Sequence, residues 1–268
     1  MGVATLATLA GFATAQAQSL GYGPPQGASF RYRTDNQLIV SQQILESENH
    51  YTLRANGVVR LTLMNTGPRL LWRLGYEELN LEIEGAFPSP RVEGLRGAVV
   101  TLSTTPQGVV LDALASGVVS PGIGTQYVER AAAAFLPRLP ERAATPGAVW
   151  SDTLLVTEVL QGVTAEVTTV LRYAVADTSA IAGRAVVPVE YTGTISVTGS
   201  GLIEGSRVQV EGSGRVRGHY LYDPADRVFD LHEQEQVLES TLTLMSPEQR
   251  TVGIPSRQVL NARSERVF

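Results

Sequence analysis

The residues that could carry acid, base or metal chemistry are few and scattered. The chain has three histidines, His50, His219 and His232. His232-Glu233-Gln234-Glu235-Gln236 resembles the start of a zinc-protease motif, but Gln236 stands where the second ligand must be and the surrounding alternation reads as a strand, not a helix. Those residues read instead as a solvated polar strand face. A serine nucleophile would need a Gly-x-Ser-x-Gly elbow between strand and helix, and none occurs. Gly199-Ser200-Gly201 and Gly212-Ser213-Gly214 are followed by no helix that could make a phosphate cradle, so they read as hairpin turns. The carboxylate pairs Glu77/Glu78, Asp223/Asp226 and Glu233/Glu235 could in principle flank a glycosidic bond. With aromatic residues at only 6%, little is left to hold a sugar beside them. There is no Cys, and all 21 basic residues are Arg. Thiolate, disulfide and Schiff-base chemistry are therefore excluded, and no catalytic residue, metal or cofactor is expected.

What remains is apolar binding. A strongly curved antiparallel sheet with a helix across its mouth encloses a cavity or groove. Trp72, Leu74 and Tyr76 share one side of a strand, and Leu79, Leu81 and Ile83 follow after a change of register. These six either line such a cavity or fill the core.

The elements that would position them are mostly strands. In Glu78-Leu79-Asn80-Leu81-Glu82-Ile83-Glu84 the apolar residues share one face and the acids the other, as in a half-solvated antiparallel strand. Val59, Leu61 and Leu63 alternate in the same way, as do Val187, Val189, Tyr191, Ile195 and Val197. Further strands are predicted near 28–34, 37–47, 97–103, 108–114, 149–160, 163–175, 206–211, 214–222, 227–244 and 257–267. Ala55-Asn56-Gly57 and Asp223-Pro224-Ala225-Asp226 read as turns. Gly193 and Gly218 point to bulges or sharp curvature. Only Thr125–Leu136 has the composition of a helix, closed by Pro137, with Tyr127, Ala131 and Phe135 as its buried stripe. The predicted fold is mainly β, with long curved antiparallel sheets in a half-barrel or a sandwich and one helix between the halves.

The net charge of −5 and a pI near 5.3 oppose binding to nucleic acid, which needs an excess of clustered cations. The exclusive use of Arg reads as the codon usage of a GC-rich genome. No charged residue occurs in the first thirty, and an apolar run leads into Ala15-Gln16-Ala17. Residues 1–17 are read as an export signal cleaved after Ala17 or as a retained anchor, with membrane association possible through residues 3–17. The expected location is periplasmic or on the extracytoplasmic face of an inner membrane.

The remaining chain divides into a β unit with terminal helix over 18–136, a linker over 137–147 and a second β unit over 148–268. The spacing of Gly97, Val99, Pro106 and Asp112 has a counterpart in Gly214, Val216, Pro224 and Asp230, the pattern of a duplication. Pro146-Gly147-Ala148-Val149-Trp150, the strand ending at Tyr191, and Gly214-Arg215-Val216-Arg217-Gly218-His219-Tyr220 with Asp223-Pro224 together resemble exported bacterial β-proteins. They are broadly similar to the lipoprotein-carrier (LolA/LolB-like) superfamily. That resemblance implies a half-barrel closed by helices around acyl chains. The function expected is a non-enzymatic exported protein that binds an apolar ligand or another envelope protein. The alternative is an extracytoplasmic structural subunit of a membrane complex, held by its N-terminal segment.

Overall fold

The computed structural model describes residues 20–44, 47–85, 97–117, 125–141, 145–160, 162–177, 179–181, 183–203, 205–245 and 251–268. The signal or anchor read over 1–17 lies outside them. In chain order the elements are β1 (Ser29–Ile44), β2 (Ser47–Asn65), β3 (Leu70–Gly85), β4 (Val99–Thr104), β5 (Val110–Ser116) and α1 (Thr125–Ala133). There follow β6 (Val149–Leu160), β7 (Val163–Val175), β8 (Ser179–Ile181), β9 (Arg184–Ile203), β10 (Ser206–Asp223), β11 (Val228–Met245) and β12 (Thr251–Val267). One antiparallel sheet runs in the order β5-β4-β3-β2-β1-β12-β11-β10-β9-β7-β6, with β8 paired to β9. Two meanders are thus joined at their first and last strands, from Arg31↔Val267 to Gln42↔Ser256. The mainly-β class and the long antiparallel strands are as the alternation predicts.

Each strand carries two unlike faces. The outer face is charged: Arg31 and Arg60 both pair with Glu77, Arg54 pairs with Glu84, Arg217 with Glu235, and Arg263 with Glu233 and Glu265. The inner face holds the core, which gathers near one end of the strands. Phe30 and Tyr32 from β1, Leu61 and Leu63 from β2, Trp72 and Leu74 from β3, and Leu102 from β4 meet Val189 from β9, Tyr220 and Tyr222 from β10, and Phe229 from β11. Strands four or more places apart in the sheet can share a core only if the sheet curls upon itself. It is a half-barrel, not a sandwich.

Glycine makes the curl possible. On the inner face of β9 and β10, Gly199 lies opposite Val210, Gly212 opposite Val197 and Gly214 opposite Ile195. A Cβ on Gly199 would stand 2.8 Å from the Thr164 carbonyl oxygen, and one on Gly212 would stand 2.7 Å from Ser240 Cβ. Neighbouring backbones approach so closely that only hydrogen fits. The two Gly-Ser-Gly triplets are therefore not hairpin turns: they lie inside β9 and β10 and let the sheet bend. Gly57 plays the same part inside β2 against the Glu78 carbonyl, so the turn predicted at Ala55-Asn56-Gly57 is absent. The register shifts fall at Val58/Val59, Leu63/Asn65, Ser103/Thr104 and Leu221/Tyr222, not at Gly193 or Gly218.

A segment ahead of β1 plugs the narrow end. Tyr22 is fully buried, with its ring edge-on to Trp72 at 6.2 Å and to Tyr222 at 6.4 Å. Its hydroxyl donates to the Pro137 carbonyl at 2.9 Å and its amide to the Pro106 carbonyl at 2.7 Å. Beside it the predicted turn at Asp223 is present, with Asp223 Oδ1 accepting from the amides of Ala225 and Asp226. Arg184 bridges Asp223 at 3.0 Å and Asp230 at 2.7 Å, and Arg266 reaches Asp223, Asp226 and Asp230. Two guanidinium groups thus compensate three carboxylates where β9 to β12 converge.

Candidate ligand cavity

The helix is held over the sheet from its own side chains. Glu129 accepts a hydrogen bond from the Ala115 amide of β5 at 2.9 Å, while Val128 and Ala132, one turn apart, are buried. Phe135, just past the helix, packs edge-on against Tyr32 at 5.2 Å and Phe229 at 5.5 Å. The buried stripe is therefore Val128 and Ala132, continued by Phe135. Ala131, expected in that stripe, is exposed at a cavity rim, and the Tyr127 side chain lies outside what is described.

Between α1 and the inner face of the sheet lies a cavity of about 430 Å³, within the size range of small-molecule sites. One wall is apolar: Leu53 and Val59 from β2, Leu74, Leu79 and Leu81 from β3, and Val128 from α1. The opposite wall carries the polar groups, Asn36 on β1, Gln258 and Ser264 on β12, and His232, Gln234 and Gln236 on β11, with Leu38, Leu260 and Ala262 set among them. Cross-strand register sets this row, because Asn36, Ala262 and Gln234 stand abreast, as do Leu38, Leu260 and Gln236. Among the described residues, no Asp, Glu, Lys or Arg lines the cavity.

The six residues expected at a binding surface divide. Leu74, Tyr76, Leu79 and Leu81 line the cavity. Trp72 lies deeper, fully buried, with Nε1 donating to Thr104 Oγ1 at 3.0 Å. Ile83 is half-buried on the same face, nearer the far end of β3, and is not part of the lining.

The polar wall corrects the reading of 232–236 as a solvated face. Of these five residues Glu233 and Glu235 point outward, to Arg263 and Arg217, while His232, Gln234 and Gln236 point inward. The sequence signal was the bare alternation of His and Gln with Glu, which resembles a wet strand because no residue of it is apolar. What holds this wall in place is Tyr191 on β9. It reaches across β10 over Gly218, where a Cβ would collide with its ring. Its hydroxyl lies 2.8 Å from His232 Nε2 and donates to Gln234 Oε1 at 3.1 Å. One hydroxyl proton serves one acceptor, so the imidazole supplies the other proton as the neutral Nε2–H tautomer. Desolvation, with the nearby charge of His219 second, lowers the His232 pKa from 6.5 to about 4. The ring is uncharged at neutral pH. Desolvation likewise raises the Tyr191 phenol, with Tyr173 adding to the effect, so it stays protonated.

The site offers an apolar wall and a row of neutral hydrogen-bonding groups. Among the described residues, no group of three or more His, Cys, Asp or Glu could hold a metal ion. The Asp223, Asp226 and Asp230 carboxylates are already matched by arginines.

No protein-family model and no curated protein matches the chain. Among solved structures it is similar to OpdQ of Pseudomonas aeruginosa, at 7% identity and a TM-score of 0.30 over 90% of this chain and 99% of that one. A BenF-like porin of Pseudomonas fluorescens Pf-5 is similar at 9% identity and a TM-score of 0.28, over 90% of this chain and all of that one. OccK2 (OpdF) of P. aeruginosa in complex with glucuronate follows at 10% and 0.25, over 92% of this chain and all of that one. These are outer-membrane porins, not lipoprotein carriers, which overturns the expected carrier resemblance and the periplasmic or inner-membrane address expected with it.

Proposed function

We propose that this protein is a non-catalytic binding protein whose ligand is an apolar small molecule seated between α1 and strands β1, β2, β3, β11 and β12. The observation that carries the reading is the cavity itself: about 430 Å³, walled on one side by leucines and closed below by packed aromatic rings. A core of this size normally fills its interior with side chains, and here Ala55 and Ala262 stand in the lining where larger inward residues would close the gap.

The distribution of charge supports a binding protein rather than a lipid-spanning channel. A membrane barrel turns apolar residues to the lipid and polar ones to its lumen. Here the outer face bears Arg31, Arg54, Arg60, Arg217 and Arg263 with their acidic partners, and Leu53, Leu74, Leu79 and Leu81 face the cavity. Titration with the neutral dye N-phenyl-1-naphthylamine tests the proposal. The wild-type chain is expected to bind one dye with enhanced emission, and Ala262→Trp, which fills the centre of the floor, is expected to abolish it with the far-UV spectrum unchanged. Equal binding by both proteins would refute the cavity as the site.

A further inference from the structure

The polar wall narrows the ligand class. We infer, resting on the binding reading above, that the cavity selects an uncharged amphiphile: an apolar body against β2 and β3, and a neutral hydrogen-bonding head, such as an amide or alcohol, against β11 and β12.

Three observations lead there. First, among the described residues the lining holds no ionic side chain of either sign, so a carboxylate or an ammonium group would be desolvated without a counter-charge. Second, the polar groups are not surplus from the fold. Asn36, Gln236 and Gln258 have no side-chain hydrogen-bond partner among the described residues, and all three line the cavity. Third, Gln234 is pre-set. Its Oε1 is held by the Tyr191 hydroxyl, which leaves its amide N–H groups free to donate to a ligand acceptor. Gly218 is what allows this, because any side chain there would push Tyr191 off β11. Donors and acceptors on neutral amides can satisfy a neutral head fully, and they repay only part of the hydration an ion gives up.

The apolar wall and the amide row are on facing sides, so the two ends of the ligand are sorted. Leu79 and Leu81 on β3 are separated from Gln234 and Gln236 on β11 by the widths of β2, β1 and β12. An alkyl chain alone would leave the amide row dry and unpaired, and a uniformly polar ligand would bury polar groups against the leucines without partners.

The test is displacement of N-phenyl-1-naphthylamine from the full chain at pH 8 by decanamide, decanol and decanoate, which share an alkyl body and differ in the charge of the head. Decanamide and decanol are expected to bind about tenfold or more tightly than decanoate, equivalent to about 1.4 kcal/mol. Gln234→Leu combined with Gln258→Leu is expected to narrow that gap to less than about threefold, by weakening the amide rather than the carboxylate. Decanoate binding as tightly as decanamide to the wild-type chain would overturn the inference while leaving the cavity as a ligand site. Failure of the dye and all three competitors to bind would overturn both. The comparison on wild-type protein stands whether or not the double variant folds.

Discussion

Lowering the pH should destabilise this protein through one side chain before its carboxylates matter. His232 sits among Tyr191, Tyr220 and Phe229, with ring centroids 6.0 to 6.4 Å away, and desolvation there lowers its pKa from 6.5 to about 4. The folded state therefore refuses a proton that the unfolded chain accepts. The resulting stabilisation is complete above about pH 6.5 and is lost as the pH falls towards 4. At roughly 1.4 kcal/mol per tenfold, the difference amounts to about 3 kcal/mol across the window. The assay is the urea midpoint, followed by far-UV circular dichroism at closely spaced pH values between 7.5 and 4, for the wild-type chain and for His232→Phe. The substitution removes the titrating group but keeps a planar ring, and Tyr191 retains Gln234 as acceptor. The wild-type midpoint should fall steadily below pH 6.5, and the variant should be nearly flat until carboxylates begin to protonate. A wild-type protein as stable at pH 4.5 as at 7, or a variant with the same slope, would refute the account of His232.

Other perturbations probe the fold that holds the cavity. Gly193→Val places a Cβ against the Val170 carbonyl and should cost ~1–3 kcal/mol or more by overpacking, whereas Gly75→Ala, with nothing within 4 Å of the new Cβ, should be close to neutral by thermal melting. Trp72→Ala empties a fully buried site and removes the donor to Thr104, for an expected loss of about 3–5 kcal/mol in urea unfolding. Arg266→Ala leaves Asp223 and Asp230 with Arg184 alone, and a loss of ~3 kcal/mol or more is expected, measured the same way.

The strands were legible in the sequence because each has one face against a core, and alternation records that directly. β6 and β7 begin and end where the periodicity places them. Misreadings cluster at glycine. Gly57, Gly199, Gly201, Gly212 and Gly214 look like turns in one dimension, and only the neighbouring strand's carbonyl shows that they exist to permit close approach. Two predicted pieces near 206–211 and 214–222 are accordingly one strand, β10. Of the six apolar residues expected at a binding surface, Leu74, Tyr76, Leu79 and Leu81 line the cavity and Trp72 and Ile83 do not, because a stripe marks the inner face of a strand without marking where along it the space lies. The polar half of the site was not legible. His232, Gln234 and Gln236 carry no periodic hydrophobic signal, and their inward orientation follows from pairing with Tyr220, Gly218 and Val216 on β10, which no local pattern encodes. Tyr191 likewise has a role only once Gly218 is known to lie beneath it.

The central claim is that an apolar ligand occupies the space under α1, and leucine methyl groups report on it directly. With methyl-labelled leucine, addition of decanol should shift the resonances of Leu53, Leu74, Leu79 and Leu81, which line the cavity, and leave those of the exposed Leu114, Leu155 and Leu202 in place. Shifts confined to the exposed leucines, or no shifts at saturating decanol, would contradict the claim.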